Sequence, residues 1–160
     1  MTAKPAQVIQ VPNTLKAKLG GRFSIDPNAV ARAEAALKEL SDQFGDWMQD
    51  ELNKLDAARA AIAAKGLTDE TANNLYTRAH DLKGLGGTYG FPLVSRLGGS
   101  ICKLLEDPSK RAAVPVFLID AHIGAIKAAV RDEIRDADHP IGKTLVDELE
   151  GRVAAYLKTS

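Results

Sequence analysis

The segment around His80 combines residue types that rarely occur together inside a helical pattern. His80 offers a nucleophilic imidazole, and Lys83 adds a positive charge three residues further along. Gly84 and Gly87 continue the segment, although a glycine inside a helix costs about 1 kcal/mol relative to alanine. On a helix of about 3.6 residues per turn, both glycines lie within about 40° of His80. A nucleophile, a cation and a helix face without side chains suit phosphoryl chemistry in which another protein delivers the phosphoryl group.

The predicted core stripe of the same helix does not include His80. The stripe contains Leu75, Ala79, Leu82 and Gly86. Its centre lies about 120° from His80 around the helix, so the imidazole is expected on the shoulder between core and solvent. A neutral imidazole, with a pKa of about 6.5, can attack phosphorus while its other nitrogen is held by a hydrogen bond. The alternative interpretation is that His80 is an ordinary surface histidine, but this leaves Gly84 and Gly87 unexplained. Gly86 lies on the core stripe, so tight helix packing accounts for it.

Helices account for the rest of the chain from residue 26 onward. Helix starts are predicted at Asp26-Pro27, Thr68, Phe91-Pro92, Pro115 and Asp138-His139-Pro140. Helix ends are predicted at Lys65-Gly66 and at Gly90, and Gly45 is expected to bend or split the first long segment. No strand pattern is present in the sequence. Amphipathic helices joined by short loops predict an all-α fold, an antiparallel four-helix bundle with an additional N-terminal helical element.

The spacing of apolar residues predicts which helix faces are buried. In the first long helix these residues are Ala33, Leu37, Leu40, Phe44, Trp47, Met48, Leu52, Leu55 and Ile62. In the last helix they are Ile141, Leu145, Leu149, Val153 and Tyr156. Gly98 and Gly99 are expected to allow close helix packing, and Cys102 and His122 are expected to be buried packing residues.

The first 25 residues differ from the remainder and are predicted to be a partly ordered N-terminal extension. Leu15 and Leu19 could lie on one helical turn, and together with Phe23 they are expected to anchor the extension. Residues 26–160 are predicted to form the bundle domain.

Composition excludes several classes of function. The 160-residue chain has 21 basic and 21 acidic residues and a net charge of zero, which argues against nucleic-acid binding. Its single cysteine excludes an internal disulfide and suits a reducing compartment. The N-terminus lacks the apolar core of a signal peptide, and the most apolar run, residues 112–119, is far shorter than the ~20 residues of a membrane span. We therefore expect a soluble, cytoplasmic protein.

Metal, nucleotide and hydrolase chemistry have little support in the sequence. His122 and His139 lie on separate predicted helices, and no spacing typical of metal ligands occurs. The glycine-rich stretch ends a helix, whereas a phosphate-binding loop opens one, so an ATP site is not expected. A hydrolase using His80 as a base would need an orienting carboxylate, and Asp81 points about 100° away.

The run from Ala79 to Gly90 resembles the signature of histidine-containing phosphotransfer (HPt) domains. The resemblance extends over about thirty residues and also includes Leu93, Leu97, Ile101 and Glu106. Proteins of this family are monomeric four-helix bundles that carry a phosphoryl group between receiver domains in multistep bacterial phosphorelays. The resemblance therefore implies a phosphocarrier without its own ATP site.

The resemblance also implies roles for individual residues. His80 would accept the phosphoryl group from a receiver aspartate and pass it to a second receiver, with Lys83 as its electrostatic helper. The partner would dock on Asn73, Tyr76, Thr77, Gly84 and Gly87, a set that we call the docking surface, and Gly90 would form a structural turn. The expected partners are receiver domains of hybrid histidine kinases and response regulators. No cofactor or metal is expected on this chain, because Mg²⁺ would belong to the receiver. The alternative is a helical adaptor that binds receiver domains without carrying phosphate.

Overall fold

The computed structural model describes residues 25–160 and contains five α-helices there. They are α1 (Pro27–Lys65), α2 (Asp69–Leu85), α3 (Pro92–Leu104), α4 (Val116–Arg131) and α5 (Pro140–Thr159). A 3₁₀ turn, Arg111–Ala113, lies between α3 and α4, and residues 25–160 include no strand. The all-α helical bundle is thus confirmed. The helical turn expected at Leu15 and Leu19, and the contact expected of Phe23, lie outside the described residues.

The chain divides into two compact units, Met1–Glu39 and Leu40–Ser160. In the first unit, α1 starts at Pro27, and the Asp26 carboxylate accepts a hydrogen bond from the Asn28 amide at 3.0 Å, as expected of an N-cap. The side chains of Ala33 and Leu37 are exposed, 67% in the case of Leu37, so their predicted burial is wrong.

In the second unit, α1 enters the core only from Met48 onward. Met48, Leu52, Leu55 and Ile62 are buried as predicted, whereas Leu40 and Trp47 are exposed. Gly45 does not split α1, which is continuous from Pro27 to Lys65. The helical period was therefore identified correctly, but the buried part of the stripe is shorter than predicted.

Two ion pairs join α1 to α4 across the surface of the second unit. The Arg59 guanidinium binds the Asp120 carboxylate and holds the pKa of that carboxyl below its usual range. The Lys127 ammonium lies 2.9 Å from the Asp56 carboxylate. Such exposed pairs contribute about 0–1 kcal/mol each, so the buried apolar face of α1 supplies most of its attachment.

Helix α2 begins at a reciprocal cap and ends at Leu85, five residues before the predicted end at Gly90. The Thr71 amide donates to the Thr68 hydroxyl at 3.2 Å, and the Thr68 amide donates to the Thr71 hydroxyl at 2.9 Å. Beyond Leu85 the chain turns until Gly90, whose φ is +86°, and the Phe91 amide donates back to the Gly86 carbonyl at 2.7 Å. This is the Schellman arrangement, in which a residue without a Cβ is strongly preferred at the left-handed position.

Close packing of α2 against α3 depends on two glycines. A Cβ on Gly98 would lie 2.7 Å from the Ala79 carbonyl oxygen and 2.8 Å from the Lys83 amide nitrogen. A Cβ on Gly86 would lie 2.7 Å from the Ser95 amide nitrogen. Because backbone atoms cannot move aside without shifting a whole helix, both positions require glycine, and the predicted packing roles of Gly86 and Gly98 are confirmed.

The buried face of α5 differs from the predicted face by one residue in the first two turns only. Ile141 and Leu145, predicted to be buried, are 74% and 43% exposed, and Gly142 and Val146 are buried in their place. Leu149 and Val153 are buried as predicted. A Cβ on Gly142 would lie 2.7 Å from Leu93 Cδ1, so the helix approaches α3 along the glycine side. The apolar spacing of α5 is compatible with burial of either the Ile141 face or the Gly142 face. The contact between Gly142 and Leu93 decides between the two faces.

Candidate functional site

Two of the three histidines of the chain have structural roles. His122 is fully buried, and its Nδ1–H donates to the Leu118 carbonyl at 2.7 Å, so Nε2 accepts from the Ser100 hydroxyl at 2.9 Å. His139 Nδ1 accepts from the Gly142 amide at 3.1 Å and caps α5. The predicted packing role of His122 and the predicted helix-start role of His139 are both confirmed.

The buried His122 should make the stability of the fold depend on pH between neutral and mildly acidic conditions. Burial holds the pKa of His122 below its ordinary value of 6.5. As the pH falls below that value, the unfolded chain therefore binds a proton that the folded chain resists, and the free energy of unfolding decreases. Urea unfolding at pH 7.5 and pH 5.5 should give a lower free energy at the acidic pH.

The His122→Gln variant serves as the control for this effect, because it removes the titrating group. Its free energy of unfolding should be lower at both pH values but should differ less between them than that of the wild type. Equal pH dependence in the two proteins would show that His122 is not the source.

His80 lies on α2 and, unlike the other two histidines, has an exposed ring. Within residues 25–160, neither of its ring nitrogens makes a hydrogen bond, whereas His122 and His139 each use at least one nitrogen inside the fold. Its ring is stacked on Tyr76, with centroids 6.3 Å apart and planes inclined by 23°. One face of the imidazole thus packs on Tyr76, and its nitrogens have no partner in the described residues.

Tyr76 is itself held in place by a residue distant in sequence. The Arg111 guanidinium carbon lies 5.5 Å from the centroid of the Tyr76 ring, and Arg111 Nε donates to the Leu105 carbonyl at 2.6 Å. A cation at this distance is attracted to the ring face. Sequence reasoning missed Arg111, because nothing in its local pattern connects a loop residue to His80.

Lys83 presents its charge beside the same helix face. Its side chain is exposed, and within the described part of the chain no carboxylate lies within 4.0 Å of its ammonium group. The methylene groups of Lys83 lie against Gly99 of α3, where a Cβ would be 3.7 Å from Cδ. That is ordinary contact, so the tight packing predicted for Gly99 is wrong, and this position accommodates the lysine stem. Lys83 and Tyr76 both line an open groove of about 710 Å³ that also involves α3 and α5.

The two glycines that follow Lys83 leave different amounts of open space. A Cβ on Gly84 would meet nothing within 4 Å, and a Cβ on Gly87 would meet only the Ser95 hydroxyl at 3.7 Å. Neither glycine has a positive φ. The surface next to His80 is therefore open because side chains are absent, and no packing contact requires glycine at either position.

Ser95 connects this segment to α3. Its hydroxyl donates to the Lys83 carbonyl at 2.9 Å and accepts from the Gly87 amide at 2.9 Å. Both backbone groups lie near the end of α2, where such groups need partners from outside the helix. Sequence reasoning missed Ser95, although serines often bond to nearby backbone groups.

The remaining residues of the docking surface precede His80 on α2. Asn73 is exposed and Thr77 is partly exposed, and the Thr77 hydroxyl donates to the Asn73 carbonyl at 3.0 Å. At seven and three residues before His80, both positions share its side of the helix. The structure thus gathers Asn73, Tyr76, Thr77, Gly84 and Gly87 around His80, as a helix requires of that spacing.

Residues 25–160 offer little other candidate chemistry. No group of three or more histidine, cysteine, aspartate or glutamate side chains is arranged there to hold a metal ion. Cys102 is buried, and burial raises the pKa of its thiol. None of the five helices combines the length and apolar character needed to cross a membrane.

Residues 40–160 form a helical bundle with a single exposed histidine on its flank, bordered by a lysine and two open glycines. The family model described as Hpt domain matches residues 39–155, more than two thirds of the chain. The chain therefore belongs to the Hpt domain family, which comprises phosphotransfer-type domains of phosphorelays. Domains of this family are phosphocarriers without an ATP site of their own, and membership implies interaction with receiver domains. Comparison with curated proteins finds no match, and comparison with solved structures finds none either.

Proposed function

We propose that His80 accepts a phosphoryl group from the aspartyl phosphate of one receiver domain and passes it to the aspartate of another. The observation that supports this most directly is the difference among the three histidines. His80 has an exposed ring without hydrogen bonds in residues 25–160, whereas His122 is buried and His139 caps a helix. Only an exposed nitrogen can reach a phosphorus atom carried by another protein.

The transfer would be an in-line displacement at phosphorus. The lone pair of an imidazole nitrogen attacks, the N–P bond forms, and the P–O bond to the donor aspartate breaks to release a carboxylate. The other ring nitrogen carries the imidazole proton and can release it to solvent after transfer. In the second displacement the ring takes a proton back from solvent, a carboxylate oxygen of the second receiver's aspartate attacks phosphorus, the P–O bond forms and the N–P bond breaks, which returns neutral imidazole. The Mg²⁺ required for phosphoryl transfer would be bound by the receiver.

Experimental support would come from trapping the phosphorylated state. The full chain is incubated with a receiver domain carrying ³²P on its aspartate, and the label is followed into this protein. A phosphoramidate at His80 should be labile in acid and stable in base. A chain that binds the phosphorylated receiver but takes no label would instead be an adaptor.

Lys83 is proposed to stabilise the charge on the phosphoryl oxygens during transfer. Replacing it with alanine should slow transfer by about ten- to a hundredfold, because charge-assisted contacts of this kind are worth about 1.5–3 kcal/mol. Affinity for the receiver should change less than the rate. Single-turnover transfer rates at saturating receiver would measure the first effect, and calorimetric titration the second.

Lys103→Ala is the matched control, because Lys103 lines the same groove and the substitution removes the same charge. Its transfer rate should stay close to that of the wild type. Equal slowing in both variants would indicate a general effect of positive charge on the encounter with the receiver rather than a specific role of Lys83.

A further inference from the structure

Three aromatic rings form a cluster where α1 approaches the turn after α2. The ring centroids of Phe44 and Trp47 are 5.6 Å apart, those of Phe44 and Tyr89 are 5.3 Å apart, and those of Trp47 and Tyr89 are 5.9 Å apart. Trp47 remains 46% exposed. The cluster therefore presents indole surface to solvent instead of burying it in the core.

Charged side chains of α1 adjoin these rings around a small open cavity. The cavity measures about 290 Å³ and is lined by Trp47, Asp50, Glu51, Lys54 and Tyr89. The Lys54 ammonium lies 2.8 Å from one oxygen of Asp50 and 2.8 Å from Oε1 of Glu51. Two carboxylates and one ammonium leave a net charge of −1 on the lining side chains.

The second carboxylate oxygen of Glu51 has no partner among the described residues. Glu51 is 9% exposed, and its Oε2 is buried and makes no hydrogen bond within residues 25–160. A buried carboxylate oxygen without a donor is costly, and such groups in native proteins call for a specific explanation. The terminal torsion of a glutamate is soft, so rotation of this carboxylate can bring an oxygen to a donor that enters the cavity, while Lys54 keeps its ion pair with Asp50.

We propose that this cavity binds a guanidinium group, carried on an arginine side chain of a partner protein. The faces of Trp and Tyr rings attract cations, with Trp the strongest. A guanidinium is planar, so it can stack on a ring while its edge donates to a carboxylate, which an ammonium group cannot do equally well. The cavity is at the lower end of the size range of ligand pockets, so it fits one side chain better than a whole cofactor.

Arg135 of this chain is engaged elsewhere. It donates to the Tyr89 carbonyl at 3.1 Å, and its guanidinium carbon lies 4.3 Å from the centroid of the Phe91 ring. It does not line the cavity. The proposal is independent of phosphoryl transfer and would stand if His80 carried no phosphate.

Trp47 is the only tryptophan of the chain, so its fluorescence reports on this cavity alone. The full chain would be titrated with N-acetylarginine amide and, separately, with N-acetylcitrulline amide, which has nearly the same shape but no charge. Ionic strength would be kept constant. We expect a saturable change in Trp47 emission with the arginine derivative and binding at least about tenfold weaker with the citrulline derivative.

Variants locate the binding site. Glu51→Gln should weaken binding of the arginine derivative about tenfold, which corresponds to loss of one charge-assisted hydrogen bond. Asp56→Asn removes the same charge from an exposed position on α1, paired with Lys127, and should leave binding unchanged. Tyr89→Leu removes a ring without changing charge and should also weaken binding. It provides the test if Glu51→Gln fails to fold.

Equal binding of the arginine and citrulline derivatives would overturn the proposal, as would unchanged binding in folded Glu51→Gln and Tyr89→Leu. Free arginine distinguishes the source of the guanidinium. A site for a protein side chain should bind the capped residue at least as tightly as the free amino acid. Clearly tighter binding of free arginine would overturn the assignment to a partner protein.

Discussion

Replacing His80 with glutamine should abolish phosphoryl acceptance from a phosphorylated receiver domain and leave the fold almost unchanged. The imidazole of His80 makes no hydrogen bond in the described residues, so its removal costs the fold little, within about 0.5 kcal/mol as for most surface substitutions. Glutamine retains a polar group of similar size but offers no nucleophilic ring nitrogen. Transfer of ³²P from the receiver, together with circular dichroism, would measure both effects.

His139→Gln is the folded control, because within residues 25–160 the His139 side chain is hydrogen-bonded only to the start of α5. It should accept phosphate normally, although loss of the cap is expected to cost about 1 kcal/mol of stability. His122→Gln should also accept phosphate in the fraction that folds. Labelling that survives in the His80 variant would show that the nucleophile lies elsewhere.

The Gly87→Leu variant should keep its fold and lose transfer from the receiver. A Cβ fits at this position, since its nearest neighbour would be the Ser95 hydroxyl at 3.7 Å, and the Gly87 amide can keep its hydrogen bond to Ser95. The branched side chain would then stand beside His80 on the docking surface, where a protein interface tolerates little added bulk. The melting temperature should stay near that of the wild type while the rate of transfer falls to background.

Two controls separate obstruction of the partner from damage to the histidine. Phosphoramidate is a small donor and should still phosphorylate His80 in the Gly87→Leu variant. Gly124→Leu places the same side chain on an exposed, equally open position of α4, which contributes no residue to the site, and should transfer normally. If the Gly87→Leu variant accepted phosphate from the receiver normally, or if it failed to fold, Gly87 would not be needed to let the receiver domain reach His80.

Local signals in the sequence were sufficient to locate the helices. The starts at Asp26, Thr68, Pro92 and His139 were predictable because a cap acts through residues within one turn of it. The end of α2 was predicted less exactly, because the α-helix stops at Leu85 and a turn continues from there to the predicted Gly90.

Burial was predicted less well, because it depends on distant parts of the chain. Leu37 and Leu40 continue the apolar spacing of α1 but remain exposed, since periodicity defines a face without supplying a neighbour to cover it. On α5, the contact of Gly142 with Leu93 selected a face that the spacing alone left open. Long-range packing decided both cases.

In the candidate site, too, local features could be predicted from the sequence and tertiary contacts could not. His80, Lys83, Gly84 and Gly87 could be recognised because they lie within eight residues of one another, on α2 and the turn that follows it. Ser95 and Arg111 could not, because each reaches the site through a tertiary contact. The residues proposed to act on phosphate were thus readable from sequence, and those that hold them in position were not.

The contact of Gly98 with the backbone at Ala79 and Lys83 has a consequence for how a carrier of this kind can serve two partners. These two residues flank His80, so the backbone of α2 beside the histidine packs against α3 with no room for a side chain between them. In the proposed relay, a donor and an acceptor would therefore meet the same surface of α2. Discrimination between them would have to come from differences in the partners, and two unrelated regulators served by one such carrier would be under pressure to evolve similar contact surfaces.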